Sequence, residues 1–348
     1  MKAVRNHEIT SVHPLLDERG VLAESGYSKR ELLTYNRFAI KANPWRIKEW
    51  DYYLISNNEF AVALTIADNS YMGLISASLL DFKKPSQLTT SVMTLAPGGK
   101  MKLPSSSKIG DAVFRNKRVE AEFYNDGRKR QLNFKMKKFH QTDDLFVEVE
   151  LFDEPEESMV IATPFKEDKK AFYYNQKINP IRAKGKVLFA GREYLFDPAD
   201  SFAVLDWGRG VWTYKNTWYW GSASGLIEGV PFGFNIGYGF GDTTAATENM
   251  LFYQGKAHKL DDVDFQIPIN KENSEEYMKP WTFHSSDGRF EMTFNPIIDR
   301  YAYSSVLFIS SNQHQVFGRF SGKVLLDDGK EIIVKDLLGF AEKVSNKW

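Results

Sequence analysis

The sequence predicts an all-β fold, two tandem antiparallel β-barrel domains with few short helices. Three observations predict it: apolar residues recur at every second position along most of the chain, two-residue turn signals separate those runs, and similar landmarks return in the same order in both halves. Trp50-Asp51-Tyr52-Tyr53 opens a strand, Asn57-Asn58 turns it, and Phe60 to Ala67 returns. Val119 to Tyr124 turns through Asn125-Asp126-Gly127 into a strand with Leu132, Phe134 and Met136 on one face and Asn133, Lys135 and Lys137 on the other. Leu145, Val147, Val149 and Leu151 keep the same period, and Gly185 to Phe196 turns at Ala190-Gly191. In the second half Trp218-Tyr219-Trp220 opens a strand, Glu228-Gly229 turns it, and Phe232 to Phe240 returns. Val324 meets Glu331 to Val334 across Asp327-Asp328-Gly329. Phe123, Asp126-Gly127-Arg128 and Phe134 are echoed by Phe283, Asp287-Gly288-Arg289 and Phe294. Only Thr243 to Asn249 and Lys335 to Lys343 read as short helices, so crossover-built parallel sheets are disfavoured. Barrel closure removes the exposed edges such a chain would otherwise carry.

A length of 348 residues suits two cores. The join is placed in Pro155 to Pro180, where Thr163-Pro164 and Lys166-Glu167-Asp168-Lys169-Lys170 interrupt the strand pattern, giving domains 1–165 and 166–348. Hydrophobic content of 43% with 26% charge describes an ordinary globular chain, and 14% aromatic residues lean toward strands. Lys+Arg 45 against Asp+Glu 45 removes the electrostatic footprint of a nucleic-acid binder. The absence of cysteine excludes disulfides and thiolate chemistry. No apolar run is long enough for a transmembrane segment, and a cytoplasmic location is expected. The basic cluster Lys117, Arg118, Arg128, Lys129, Arg130, Lys135, Lys137 and Lys138 reads as a solvated face, with an anionic membrane surface as the lesser alternative.

The densest stretch runs from Asp206 to Tyr253, where rings alternate with glycines. A period of two puts Phe232, Phe234, Ile236, Tyr238 and Phe240 on one face and Gly233, Asn235, Gly237, Gly239 and Gly241 on the other. Something must approach that bare face closely: a neighbouring ring such as Trp218 or Trp220, or a ligand with Asn235 as its polar contact. Trp207, Arg209, Trp218, Trp220, Asn235, Gly237, Tyr238, Gly239 and His258 are the candidate ligand-binding residues. Asp206 and Arg209 read as bridging each other, or as flanking a cavity in which Arg209 receives a carboxylate or phosphate. An apolar wall would raise Asp206, Asp242 or Glu248 into the range of a working acid, although Asp242-Thr243-Thr244 also reads as a helix cap. Asn175 and Lys177 either reach the second domain or belong to a linker strand.

Familiar site motifs fail. Gly237-Tyr-Gly-Phe-Gly241 lacks dinucleotide-binding spacing, Gly221-Ser-Ala-Ser-Gly225 has Ala223 where a nucleophile elbow needs serine, and Asp261-Asp262-Val-Asp264 lacks the glycine and distal glutamate of a calcium loop. The six histidines have no ligand spacing, so no metal and no cofactor is expected.

The strings Arg46-Ile-Lys-Glu-Trp-Asp-Tyr-Tyr53, Phe172-Tyr-Tyr-Asn-Gln-Lys-Ile-Asn179, Val204-Leu-Asp-Trp-Gly-Arg-Gly-Val-Trp212, Asn216-Thr-Trp-Tyr-Trp-Gly-Ser-Ala-Ser-Gly225, Gly237 to Asn249 and Val316-Phe-Gly-Arg-Phe-Ser-Gly322 resemble the bacterial domain-of-unknown-function 2804 family. That family is grouped with the lipocalin-like (calycin) superfamily, alongside carotenoid hydratases, tocopherol cyclases and fungal survival factors. The resemblance implies a pair of lipocalin-like barrels and an apolar or amphipathic small molecule as partner, and supplies no catalytic residue. Three functions follow as expectations: a carrier holding that molecule against the aromatic and glycine region; an acid-catalysed hydratase or cyclase acting on an isoprenoid-like alkene, its cation met by ring faces; or a structural or interaction protein with filled barrels. Oligomeric state is left open.

Overall fold

The computed structural model describes residues 5–306 and 309–347. Almost every long apolar run becomes a strand, and two curled antiparallel sheets result, consistent with two tandem barrel domains. The first sheet runs, edge to edge, Ser86–Leu95, Met72–Asp81, Phe60–Asp68, Ile47–Ser56, Phe202–Val211, Phe172–Phe189, Asp143–Phe152, Arg130–His140, Val119–Asn125 and Ala112–Arg115, with short strands paired alongside Phe172–Phe189. The second runs Lys256–Lys259, Met250–Tyr253, Val230–Tyr238, Lys215–Ile227, Glu331–Lys347, Ile309–Leu325, Phe290–Val306, Trp281–Ser285 and Val263–Gln266. Among the described residues no helix is long and apolar enough to cross a membrane.

The internal repeat has a structural basis. Ile47–Ser56 and Lys215–Ile227 each open an arm of four successively paired strands on one side of their sheet, and the two Asp-Gly-Arg hairpins lie in the opposite arms. Leu132 pairs Phe123 and Phe134 pairs Ala121, all buried, as the alternation predicts. The change of sheet falls between Val211 and Lys215 rather than at 165/166. Phe172–Phe189 and Phe202–Val211 complete the first sheet, and the charged segment after Thr163 is only a loop within it.

Both expected helices are corrected. Thr243 to Asn249 is an irregular loop, and Lys335 to Lys343 lies inside the strand Glu331–Lys347. Leu337 to Glu342 are all buried because that strand has the second core on one face and the first sheet on the other. A strand buried on both faces loses the period of two, and its continuous apolar run is indistinguishable from a buried helix. The interior of the second half-barrel is filled by its own rings: Phe234 lies 5.0 Å from Phe320 and 5.1 Å from Phe290, and Phe294 lies 4.5 Å from Phe320. Burying each such ring contributes about 1.5–3 kcal/mol.

Candidate active site

Polar residues concentrate between the sheets, on faces that should be apolar if they were only packing. In Phe172–Phe189 the period of two sends Tyr173, Asn175, Lys177 and Asn179 to the side facing the second sheet, while Tyr174 and Gln176 turn into the first. Asn175 and Lys177 thus do reach the second half. Lys177 pairs directly with Asp206, which pairs with Tyr52, so three strands present one polar row. Opposite it, Gly237, Trp220, Glu342 and Gln315 stand in register across four strands.

The two rows interlock. Lys177 Nζ lies 2.7 Å from Asp206 Oδ1, which also accepts from Asn175 Nδ2 at 2.6 Å. The same ammonium sits 3.9 Å from the centroid of Trp220. Trp220 Nε1 donates to Asn235 Oδ1 at 2.7 Å, and Asn235 Nδ2 donates to the Glu248 carbonyl at 2.8 Å, so the loop carrying Glu248 is tied to the glycine strand. Glu342 accepts from Trp218 Nε1 at 3.1 Å and Gln315 Nε2 at 2.9 Å. Lys259 Nζ donates to the Asn249 carbonyl at 3.0 Å and anchors the far end of that loop.

Glu248 differs from every other acid here. It is 2% exposed, and no well-aligned hydrogen bond reaches its carboxyl oxygens, the Tyr173 hydroxyl beside it being the group that interacts with them; Asn175 Oδ1 is buried and without a partner among the described residues. Such groups are rare in folded proteins because each forfeits its hydration. Burial pushes the Glu248 carboxyl up to about 7, with help from Asp206 and against the opposing pull of Lys177, Lys259 and the Tyr173 hydroxyl. Burial likewise pushes Glu342 up to about 7, its Trp218 bond opposing. Burial first, then the charges of Glu248 and Asp206, hold the Tyr173 phenol well above its ordinary value. The unit therefore contains a carboxyl poised near neutrality, an ion pair and a ring-lined wall, the ingredients of acid–base chemistry in a dry site.

These carboxyls fix how stability depends on pH. Glu248 binds its proton more readily folded than unfolded, so its contribution is complete below its ordinary value of 4.5 and is lost as pH rises to about 7. Glu342 acts in the same direction. Unfolding free energy, followed by urea titration from pH 4.5 to 7.5, is expected to fall by at most about 1.4 kcal/mol per pH unit per group, and Glu248→Gln to flatten the fall.

The Trp220 indole meets the bare face at Asn235, but at the glycines themselves the nearest atoms are not aromatic ring atoms. A Cβ on Gly237 would meet Glu248 Oε1 at 2.2 Å and the Tyr219 carbonyl at 2.6 Å, while one on Gly233 would meet the Ala223 carbonyl and Asn179. The missing side chain at 237 makes room for the buried acid. Gly237→Ala is expected to cost about 1–3 kcal/mol in urea denaturation and to displace Glu248.

Of the candidate residues, Asp206, Trp220, Asn235, Gly237 and Glu248 converge, with Trp218 at the margin through Glu342. Trp207 and Arg209 do not. Asp206 and Arg209 are three apart in a strand and face opposite ways, so they do not bridge. Arg209 pairs with Asp51 at 2.9 Å and donates to the Pro104 carbonyl at 2.7 Å, its guanidinium 4.2 Å over Trp207 within the first core. Tyr238 stacks on Tyr219 at 4.5 Å beside the second core. His258 lies 3.4 Å from Asp327, with burial lowering its pKa, away from the cluster. Asp242 accepts from the Thr244 amide at 3.1 Å and lies 3.6 Å from Lys166; Gly239 and Asp242 line an open cleft of ≈ 570 Å³. Tyr173, Lys177, Gln315 and Glu342 are additional members of the site. Polar residues at every second position from Tyr173 to Asn179 were the available signal, blurred by Gln176 on the opposite face.

The family model described as Domain of unknown function (DUF2804) matches residues 6–348. Among solved structures, the chain is similar to kievitone hydratase from Nectria haematococca, at 12% identity and a TM-score of 0.50, covering 86% of this chain and 88% of that one. It is also similar to an AttH-type protein from Nitrosomonas europaea, at 11% identity and a TM-score of 0.55, covering 95% and 99%. At these identities the likeness concerns the fold. No curated protein matches the sequence.

Proposed function

The chain belongs to the DUF2804 family, and on that footing we propose that it is a proton-transfer enzyme of the hydratase type, adding water across a carbon–carbon double bond conjugated to a carbonyl in a small amphipathic molecule. The observation that carries this is Glu248: fully buried, with no cation in contact among the described residues and only the Tyr173 hydroxyl beside its carboxyl, and near neutrality in its proton affinity. A base of that strength takes a proton from water and gives it back at the same pH. In the proposed step Glu248 removes a proton from water, and the water oxygen bonds to the β-carbon. The alkene electron pair moves through the α-carbon to the carbonyl oxygen. The enolate then collapses and Glu248 returns the proton to the α-carbon, so the sum is addition of one water.

Lys177 decides the sign of charge the site favours. Its ammonium lies over Trp220, on the ring face that an isoprenoid cation would need. A fixed positive charge there opposes a carbocation and stabilises an enolate oxygen. That argument favours the conjugated carbonyl over the isoprenoid-like alkene. Likeness of fold to a hydratase transfers no residue to this chain; the reading rests on the Glu248 environment.

The carrier reading retains one point, that the buried polar groups of Glu248, Asn175 and Tyr173 equally suit a ligand held by its polar end. Incubation with a panel of α,β-unsaturated acids, esters and ketones in ¹⁸O-water, followed by mass spectrometry, separates the two. Incorporation of one labelled water supports the enzyme. Stoichiometric binding with every compound returned unchanged supports the carrier and overturns the hydratase.

A further inference from the structure

We infer that the ≈ 570 Å³ cleft between the sheets is the outer half of the substrate site, taking an acidic head group, and that the Phe240 ring is the door between it and Glu248; this rests on the reading of Glu248 as the reacting group. Gly239 and Gly241 both line the cleft, at φ of 91° and 74°. Phe240 between them is 5% exposed and points inward. Its ring stacks on Tyr173 at 4.8 Å and 16°, with Lys177 Nζ 5.9 Å from its centroid. One ring's thickness therefore separates solvent from the polar cluster.

The backbone beside this ring is pinned to the first sheet. The Phe240 carbonyl accepts from Thr163 Oγ1 at 2.6 Å, and the Asp242 amide donates to the Pro164 carbonyl at 2.7 Å. Side-chain rotation is thus the motion available; Gly239 and Gly241 carry no side chain to block it, and the ring must leave its packing against Tyr173, Trp218 at 5.7 Å and Trp212 at 6.3 Å to open. Behind the ring lie the buried Glu248 carboxyl with the Tyr173 hydroxyl beside it, and Asn175 Oδ1, which has no partner among the described residues. Buried polar groups are mostly paired, and this chain carries a few others that are not, such as Trp207 Nε1 in the first core. What sets this group apart is that an acid, a phenol and an amide converge behind one ring at the edge of an open cleft, as a ligand that arrives and leaves would need.

The cleft itself sets the other end of the ligand. Three cations, Arg5, Lys166 and Lys215, line it against two acids, Glu167 and Asp242, with threonine hydroxyls between. Arg5 pairs with Asp262 and Lys166 with Asp242, whereas Lys215 has no ion-pair partner among the described residues. The ligand class is a small amphipathic acid, its carboxylate at Lys215 and its unsaturated segment past Phe240.

The test needs no substrate. Labelling with a water-soluble carbodiimide and glycine ethyl ester, read by peptide mass spectrometry, reports access to each carboxyl. Phe240→Ala is expected to speed labelling of Glu248 about ten-fold while Glu49 and Asp51, buried in the first core, stay unchanged. Thr217→Trp, which plugs the exposed cleft, should reverse most of that gain and slow the basal rate in the otherwise native chain. An equal rise at Glu49 and Asp51, or indifference to Thr217→Trp, would overturn the door. Hexanesulfonate, an anion that the carbodiimide does not couple, should protect Glu248 in Phe240→Ala, and hexanol should not. Equal protection by both, or hexanesulfonate protection that survives Lys215→Met, would overturn the acidic head group. If Glu248→Gln leaves turnover intact while this labelling pattern holds, the hydratase reading fails and the door stands.

Discussion

Glu248→Gln is expected to lower turnover of a conjugated carbonyl substrate by about 10²–10⁴-fold, measured as initial rates at pH 7. The amide keeps the shape of the side chain beside Gly237 and in front of Tyr173 but cannot accept and return a proton. The same substitution removes a carboxyl that is costly to ionise in place, so the variant should unfold at higher urea concentration than the parent at pH 8. Loss of rate with gain of stability is a combination that a merely structural glutamate does not produce. A variant losing both would place Glu248 among the supports of the interface. If Glu248→Gln kept full turnover, the acid–base assignment would fall.

The second large effect is on the fold. Lys177→Met is expected to cost about 3–5 kcal/mol in urea denaturation, because it strips the cation from a pair held at 2.7 Å between two sheets and leaves Asp206 charged and buried beside Asn175 alone. The double variant Lys177→Met with Asp206→Asn should recover most of that loss, since no charge is then left unpaired. A single variant within about 0.5 kcal/mol of the parent would mean that the pair is hydrated, and the dry interface described here would be wrong.

What could be read from the chain and what could not divide along a physical line. Hairpins were legible because their information is local: Asn125-Asp126-Gly127 turns the chain, and Leu132, Phe134 and Met136 reach the core through alternation alone. Strands buried on both faces were not, as Leu337 to Glu342 illustrates, because nothing polar marks their period. The region holding the site was visible through its glycines and rings, but membership depended on parity and pairing. Asp206 and Trp207 are neighbours on opposite faces, and Tyr238 faces a different core from Asn235. Lys177 is brought to Asp206 by strand register, and Glu342 to Trp220 across more than a hundred residues, pairings that the local sequence does not specify. The closest approach to a bare glycine proved to be Glu248 on Gly237, an acid from the next loop.

The most direct measurement is the titration of Glu248 itself. With glutamate labelled at the side-chain carboxyl carbon, ¹³C spectra of the parent, Glu248→Gln and Glu342→Gln assign the two buried resonances. The account predicts that the signal absent from Glu248→Gln titrates at about 7, far above the exposed glutamates. A Glu248 signal titrating near 4.5 would mean a hydrated, paired carboxylate, and would remove the base on which the proposed chemistry depends.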